Sequence, residues 1–358
     1  MKAAVFYGPG IPLTVEDVDI QGPGPDEVLV KIHYSGVCHS DYRVLTGDWE
    51  YPKPMILGHE GAGTIEQVGE NVKGLKVGDH VILSWIPSCK KCFHCISGRP
   101  HLCESYETKT ETRRSLHGKP VYPEFRVGSF AEYAIVPESG AIKIRDDMPL
   151  DKACLIGCSV MTGVGSVINT AKVEPGSSVL VVGCGGVGLS IVQGAALTSA
   201  SKIIAADLNE EKLKKAVEFG ATHTIHSGKN DLIEEVMRMT DGVGVDYSFE
   251  AIGNVKTIEI AYEAIRTGGT AVIVGQAASG QKISIDPFEM SDREKKLIGC
   301  NYGSAKPDID FPKLIDLYMM KKLDVDSMIS HVVGLEELNE AFERMKKGKG
   351  LRTIVKIG

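Results

Sequence analysis

The chain has 358 residues, 43% of them hydrophobic and 24% charged, with a formal net charge of −7. That acidic balance, with no block of about five like charges, excludes a concentrated basic face and with it nucleic acid as a main partner. The length exceeds what one hydrophobic core usually supports, so two domains are expected.

The N-terminal run Met1-Lys2-Ala3-Ala4-Val5-Phe6 lacks the apolar stretch and cleavage site of a secretory signal, which makes the cytoplasm the expected compartment. The first third reads as short strands, at residues 28–32, 63–68 and 80–83, separated by Gly, Pro and Asp turns. Residues 86–126 contain a cysteine run followed by a mixed-charge loop. From about residue 160 the rhythm changes to strand, helix, strand. Strands are expected at 178–182, 203–206, 247–250 and 270–274, with a helix at 210–219. The longest apolar stretch, 179–197, holds Ser190, Gln193 and several glycines, so it reads as a buried strand turning into a helix rather than a membrane span. Helices near 311–321 and 336–346 and a strand at 353–357 close the chain. The expected class is α/β: a β-rich domain of residues 1–159 and 302–358, interrupted by a parallel-sheet domain of residues 160–301.

The most informative stretch is Cys89-x2-Cys92-x2-Cys95-x7-Cys103, which holds four of the nine cysteines. Thiolates at this density, with two-residue gaps that fold a loop back on one point, suit a tetrahedral zinc site. Two disulfides are the competing reading, but a chain without a secretory signal keeps its thiols reduced.

Residues 179–182 lead into Gly183-Cys184-Gly185-Gly186-Val187-Gly188, a G-x-G-x-x-G motif, and Asp207 ends the next strand nineteen residues later. Gly183 permits the tight turn, Gly185 admits a pyrophosphate to the backbone, and Gly188 lets the helix pack closely. The N-terminus of the helix that follows attracts phosphate. Asp207 suits the adenosine ribose hydroxyls and repels a 2′-phosphate, so NAD is expected over NADP. Cys184 reads as a small filler.

Upstream lie Cys38-His39-Ser40-Asp41 and Gly58-His59-Glu60-Gly61-Ala62-Gly63. A thiolate, an imidazole and a carboxylate within about 25 residues suit a zinc that is not fully enclosed. These motifs, the four-cysteine lobe, Gly157-Cys158 with Thr162-Gly163, the nucleotide motif and Leu351-Arg352-Thr353-Ile354 make the chain resemble a zinc-dependent alcohol dehydrogenase of the medium-chain dehydrogenase/reductase superfamily over nearly its full length.

The resemblance implies a GroES-like catalytic domain, a Rossmann doubly wound coenzyme domain, and two zinc ions per subunit. Cys38, His59 and Cys158 would hold the catalytic zinc, with Glu60 a near or alternate ligand. Spacing alone leaves Cys154 and Cys158 open, because they lie one helical turn apart. The resemblance selects Cys158, where polyol enzymes of the superfamily place a glutamate. Cys89, Cys92, Cys95 and Cys103 would hold the structural zinc. Asp41 would orient His59. His39 and Arg352 would face the pyrophosphate, Thr162 and Val187 would back the nicotinamide, and Lys212 would reach the ribose. Gly183, Gly185, Gly186 and Gly188 would complete the cofactor site. The implied reaction is reversible hydride transfer between an alcohol and NAD, with zinc as Lewis acid and the Ser40 hydroxyl passing the proton outward. The histidine that finishes the family's relay three residues on is Arg43 here, which cannot act as a base.

Trp49 and Trp85, the only tryptophans, fall where the family lines its substrate cleft, and two rings there favour small primary alcohols. Gly47-Asp48-Trp49 and the short segment after Cys103 resemble the microbial tetrameric enzymes, so a homo-oligomer is implied, a tetramer over a dimer. A glutathione-dependent formaldehyde dehydrogenase is the alternative, although Trp49 and Glu107 stand where that class binds glutathione. A polyol dehydrogenase is a second. A zinc- and nucleotide-binding homologue without turnover would require the loss of a catalytic ligand.

Overall fold

The computed structural model describes residues 1–104 and 112–358, so Glu107 lies outside the described residues. The chain divides into two compact units: Met1–Cys158 with Lys306–Gly358, and Ser159–Ala305.

In the first unit the central strand, β1 (Glu27–Gly36), carries Val28, Leu29, Val30 and Ile32 into the core. Along one edge it pairs antiparallel with β2 (Glu60–Val68), and that pairing sets Gly36 opposite Glu60. Along its other edge the first half pairs with Tyr133–Pro137 and the last residues with Arg352–Lys356. His80–Leu83 and Ala141–Lys143 extend the sheet on one side and Ile329–Val333 on the other. The returning tail is therefore stitched into the sheet, which delivers Arg352 beside the β1–β2 pair. A second core of Phe6, Val37, Val44, Leu57, Phe130, Leu338 and Phe342 lies against α1 (His39–Thr46) and the strand Lys2–Phe6.

The second unit is a parallel sheet. Its order is His223–His226, β4 (Lys202–Asp207), β3 (Ser178–Val182), Val245–Glu250, Ile265–Ile273, Lys296–Gly299. In chain order these strands run 3-2-1-4-5-6, the doubly wound arrangement whose ligand crevice opens where the order reverses, beside the first strand. The apolar stretch at 179–197 resolves into β3 and a helix, α2 (Gly186–Leu197), as expected.

The expected helix at 210–219 is Glu210–Glu218, capped by Asn209, whose side chain accepts from the Glu211 and Lys212 amides. The helix expected near 311–321 starts earlier, at Pro307, where proline suits the first turn, and ends at Met319. Leu150–Ala171 is one continuous helix, with π-helical turns at Ile156–Val160 and Ser166–Ala171. By length and composition it could cross a membrane, but 78% of its most apolar window is buried in protein.

Candidate active site and metal centres

The sequence Cys38-His39-Ser40-Asp41 is a helix start. Cys38 is the N-cap of α1, and its backbone N–H donates to the Asp41 carboxylate (2.8 Å) in a reciprocal capping arrangement. The other Asp41 oxygen accepts from His59 Nδ1 (2.7 Å), with both side chains buried. With the proton on Nδ1, Nε2 carries the lone pair that a metal could take. His59 sits just after a turn made by Gly58 at φ +91 and just before β2. Cys158 comes from the π-helical turn, a distortion common at functional positions.

Cys38, His59, Glu60 and Cys158, all buried, bring one ligand atom each within 4.8 Å of one another. Of the two candidate thiols it is Cys158 that joins the group. Cys154 is fully buried one turn away, and its thiol donates to the Asp151 carbonyl. The Cys158 thiol donating to Cys38, with His59 beside it, holds Cys38 well below the ordinary thiol range despite burial. The same contact and burial push Cys158 up. Burial depresses His59, but the Asp41 carboxylate and then Cys38 outweigh it and raise the imidazole well above its ordinary value. Two thiols and an imidazole held this close form a donor set that a divalent cation can bind with release of their protons.

Glu60 Oε2 lies 2.5 Å from Arg352 Nη2, while Oε1 is buried with no hydrogen-bond partner among the described residues. Gly36 makes room for this carboxylate, since a Cβ there would lie 2.0 Å from Oε2. Burial raises the Glu60 pKa to about 7 against the pull of Arg352. Arg352 itself is buried and also donates to the Val37 carbonyl (3.0 Å).

Ser40 is half-buried, its hydroxyl 3.8 Å from Cys38 Sγ, and His39 is exposed. Arg43 is paired with Asp48 at 2.8 Å. Trp85 and Phe125 both stand edge-on to His59, with centroids 6.3 and 5.1 Å away. Trp49 and Tyr51 pack edge-on against Phe125 in turn (6.2 and 6.0 Å). Phe125, Tyr51 and Glu124 were not found from the sequence. They lie in a turn-rich stretch and a loop with no spacing relation to the ligands, so no local signal pointed to them.

The second cluster is local. Cys89 and Cys95 sulfurs are 3.9 Å apart, Cys92 and Cys103 sulfurs 4.0 Å, and all four ligand atoms lie within 4.8 Å. Disulfide sulfurs would be about 2.05 Å apart, whereas four thiolates at about 2.3 Å from one zinc are about 3.8 Å apart. The donor set fits a closed tetrahedral zinc.

In the second unit the glycine motif joins β3 to α2. Gly183 has φ +96, a Cβ on Gly188 would lie 1.7 Å from the Gly183 carbonyl oxygen, and Gly185 has open space where a Cβ would point. That open cradle at a helix N-terminus fits a pyrophosphate. Gly186 and Val187 open α2, and Thr162 is half-buried in its own helix. Asp207, at the end of β4, accepts from the Cys184 amide (2.7 Å) and the Asn209 amide (2.9 Å). Those two contacts fix its charge beside the glycine turn. Lys212 lies in the first turn of the following helix.

Two family models match: the alcohol dehydrogenase GroES-like domain over residues 24–146 and the zinc-binding dehydrogenase over residues 186–320. The chain is 40% identical to S-(hydroxymethyl)glutathione dehydrogenase of Paracoccus denitrificans, over 99% of each. It is 43% identical to alcohol dehydrogenase class-3 of Zea mays, over 99% of this chain and 96% of that one. The chain belongs to the zinc-dependent medium-chain alcohol dehydrogenases. Among solved structures, benzyl alcohol dehydrogenase of Acinetobacter calcoaceticus superposes with a TM-score of 0.94 at 34% identity, covering 100% of this chain and 99% of that one. This alcohol dehydrogenase combines a GroES-like domain with a Rossmann domain and uses zinc and NAD for reversible hydride transfer between an alcohol and its aldehyde.

Proposed function

We propose that this dehydrogenase acts on apolar primary alcohols, with Cys38, His59 and Cys158 as the catalytic-zinc ligands and Glu60 beside them. The observation that carries this is the ring cluster: Trp85 and Phe125 stand edge-on to the ligand His59 and continue into Trp49 and Tyr51. A site walled by rings rewards apolar substrates and excludes water, which strengthens polar interactions inside it. Zinc, when bound, supplies Lewis-acid activation of the alcohol oxygen.

Ser40 Oγ, beside Cys38, would accept the hydroxyl proton of the substrate while passing its own proton outward to solvent. Arg43, held by Asp48, would contribute charge and no proton transfer. Asp41 keeps His59 in the ligating tautomer. Gly185 and the start of α2 would take the pyrophosphate, and Asp207 with Lys212 the adenosine ribose. For His39, Arg352, Thr162 and Val187 the roles against the cofactor rest on the resemblance. The metal-spaced thiols suit a reducing compartment, in keeping with the cytoplasm. The short segment after Cys103 favours a homotetramer over a dimer.

The names of the curated relatives favour a second reading, a glutathione-dependent formaldehyde dehydrogenase. NADH formation measured with ethanol, longer and aromatic primary alcohols, a secondary alcohol, a polyol, and formaldehyde with and without glutathione separates the two. Apolar primary alcohols should give the highest kcat/KM. A rate with formaldehyde that depends on glutathione and exceeds all the others would overturn the first reading in favour of the second.

A further inference from the structure

One fully buried carboxyl group has no part in the chemistry above. Glu124 Oε2 accepts from the backbone N–H of Gly58 (2.7 Å), the residue before His59, and the same carboxyl group lies against that of Asp41. From the same stretch of chain, Ser129 N–H donates to the Gly58 carbonyl (2.8 Å) and Phe130 N–H to the Leu57 carbonyl (3.0 Å). Residues 124–130 thus grip the turn that carries His59 on both its amide and its carbonyl sides. A Cβ on Gly58 would meet Phe130 and Ser129 atoms at 2.8 Å, so the turn has no room to shift. Oxygen atoms of Glu124 and Asp41 and a ring nitrogen of His59 lie within 4.8 Å of one another.

The residue after Glu124 is Phe125. It adopts φ 45 and ψ 30, a conformation that a bulky side chain takes only when its surroundings impose it. In that conformation its ring stands edge-on to His59 and touches the rings of Trp49, Tyr51 and Trp85. One residue pins the ligand turn, and the next carries the ring that lies against the ligand.

We propose that Glu124 is a positioning residue that couples the placement of His59 to that of the Phe125 ring, so that metal ligand and substrate wall are set together. The inference rests on the reading of Cys38, His59 and Cys158 as zinc ligands. Removing the acceptor leaves the Gly58 amide buried and unpaired, which loosens the turn and the ring in one step.

The test uses the full-length holoenzyme and two readouts: zinc release to a chromogenic chelator, and the ratio of kcat/KM for benzyl alcohol to that for ethanol. Glu124→Ala should release the catalytic zinc at least about tenfold faster, the low end for partners that support a ligand. The same variant should move the ratio at least about fivefold while retaining the four-cysteine zinc. Glu124→Gln, whose Oε1 can accept the same amide, should stay within about twofold of wild type in both.

Phe125→Leu probes the coupling from the ring end and does not depend on the alanine variant folding. It should speed zinc release although it removes no hydrogen bond. Faster zinc release with an unchanged ratio in Glu124→Ala, a glutamine variant as impaired as alanine, or wild-type zinc release in Phe125→Leu each overturns the proposal. A wild-type protein that holds only the four-cysteine zinc overturns the ligand reading itself, and this inference with it.

Discussion

The two metal clusters of this dehydrogenase are built in opposite ways. Cys89, Cys92, Cys95 and Cys103 lie within fifteen residues on one lobe, and three of the four are partly exposed. Cys38, His59, Glu60 and Cys158 come from a helix start, a turn, a strand and a π-helical turn, and all four are buried. The lobe has little core of its own, since Phe93 and Ile96 are 64% and 71% exposed. A metal is what holds such a loop together, and four thiolates leave that metal no position for substrate. The buried cluster depends on the fold around it and offers mixed donors. Its shape comes from strand pairing and helix capping, so it can keep one position open.

The largest effect should come from the assembled cluster. Cys158→Ala should lower kcat/KM by about 10³-fold or more, since Lewis-acid activation is worth several kcal/mol and each 1.4 kcal/mol is tenfold. Zinc content should fall from two to one per subunit while the melting temperature moves little. Cys95→Ser should do the reverse: zinc again falls from two to one, but stability drops first, by about 2–4 °C in Tm for each kcal/mol lost. Active-site titration of the folded fraction should find its turnover largely kept. If Cys95→Ser abolished turnover in fully folded protein, the division of labour between the clusters would be wrong.

The same contrast decides what could be read from the sequence. The four-cysteine lobe was legible because its ligands are neighbours in the chain, and the glycine motif because its strand, turn and helix are consecutive. Cys158 was not legible by spacing. The resemblance selected it over Cys154, and the fold brings it to Cys38 and His59. Nor was the pairing of Arg352 with Glu60, 292 positions apart in the chain, legible locally, because it follows from the strand Arg352–Lys356 pairing with the end of β1. Glu124 and Phe125 gave no signal, because what matters about them is a backbone amide and an unusual φ, and neither is written in residue type.

A smaller effect tests the proton path at the buried cluster. Ser40→Ala should lower the rate of the hydride step at least about tenfold, the low end of general acid–base assistance, with zinc content unchanged. Single-turnover kinetics with a deuterated alcohol isolates that step. An unchanged rate would remove Ser40 from the proton path and leave the cluster with zinc ligation alone.

The smallest expected effect comes from a polar contact assembled across the chain without any metal. Asp246 accepts from the Ser178 amide and hydroxyl (both 2.7 Å) and from Arg266 Nε (2.7 Å), tying the starts of adjacent strands together. Burial works to raise its pKa, but the Ser178 donors and Arg266 prevail and hold it below its ordinary 3.8. The folded state therefore binds fewer protons than the unfolded chain near this pH. The stabilisation is complete above the unfolded pKa and disappears as pH falls through the folded one. Asp246→Ala should cost about 1–3 kcal/mol at neutral pH, the range for hydrogen bonds to a charged group and for a buried donor left unpaired. Urea titrations at pH 7 and pH 3 should show that gap narrowing in acid. If it persisted undiminished, the loss would come from packing rather than from the carboxylate.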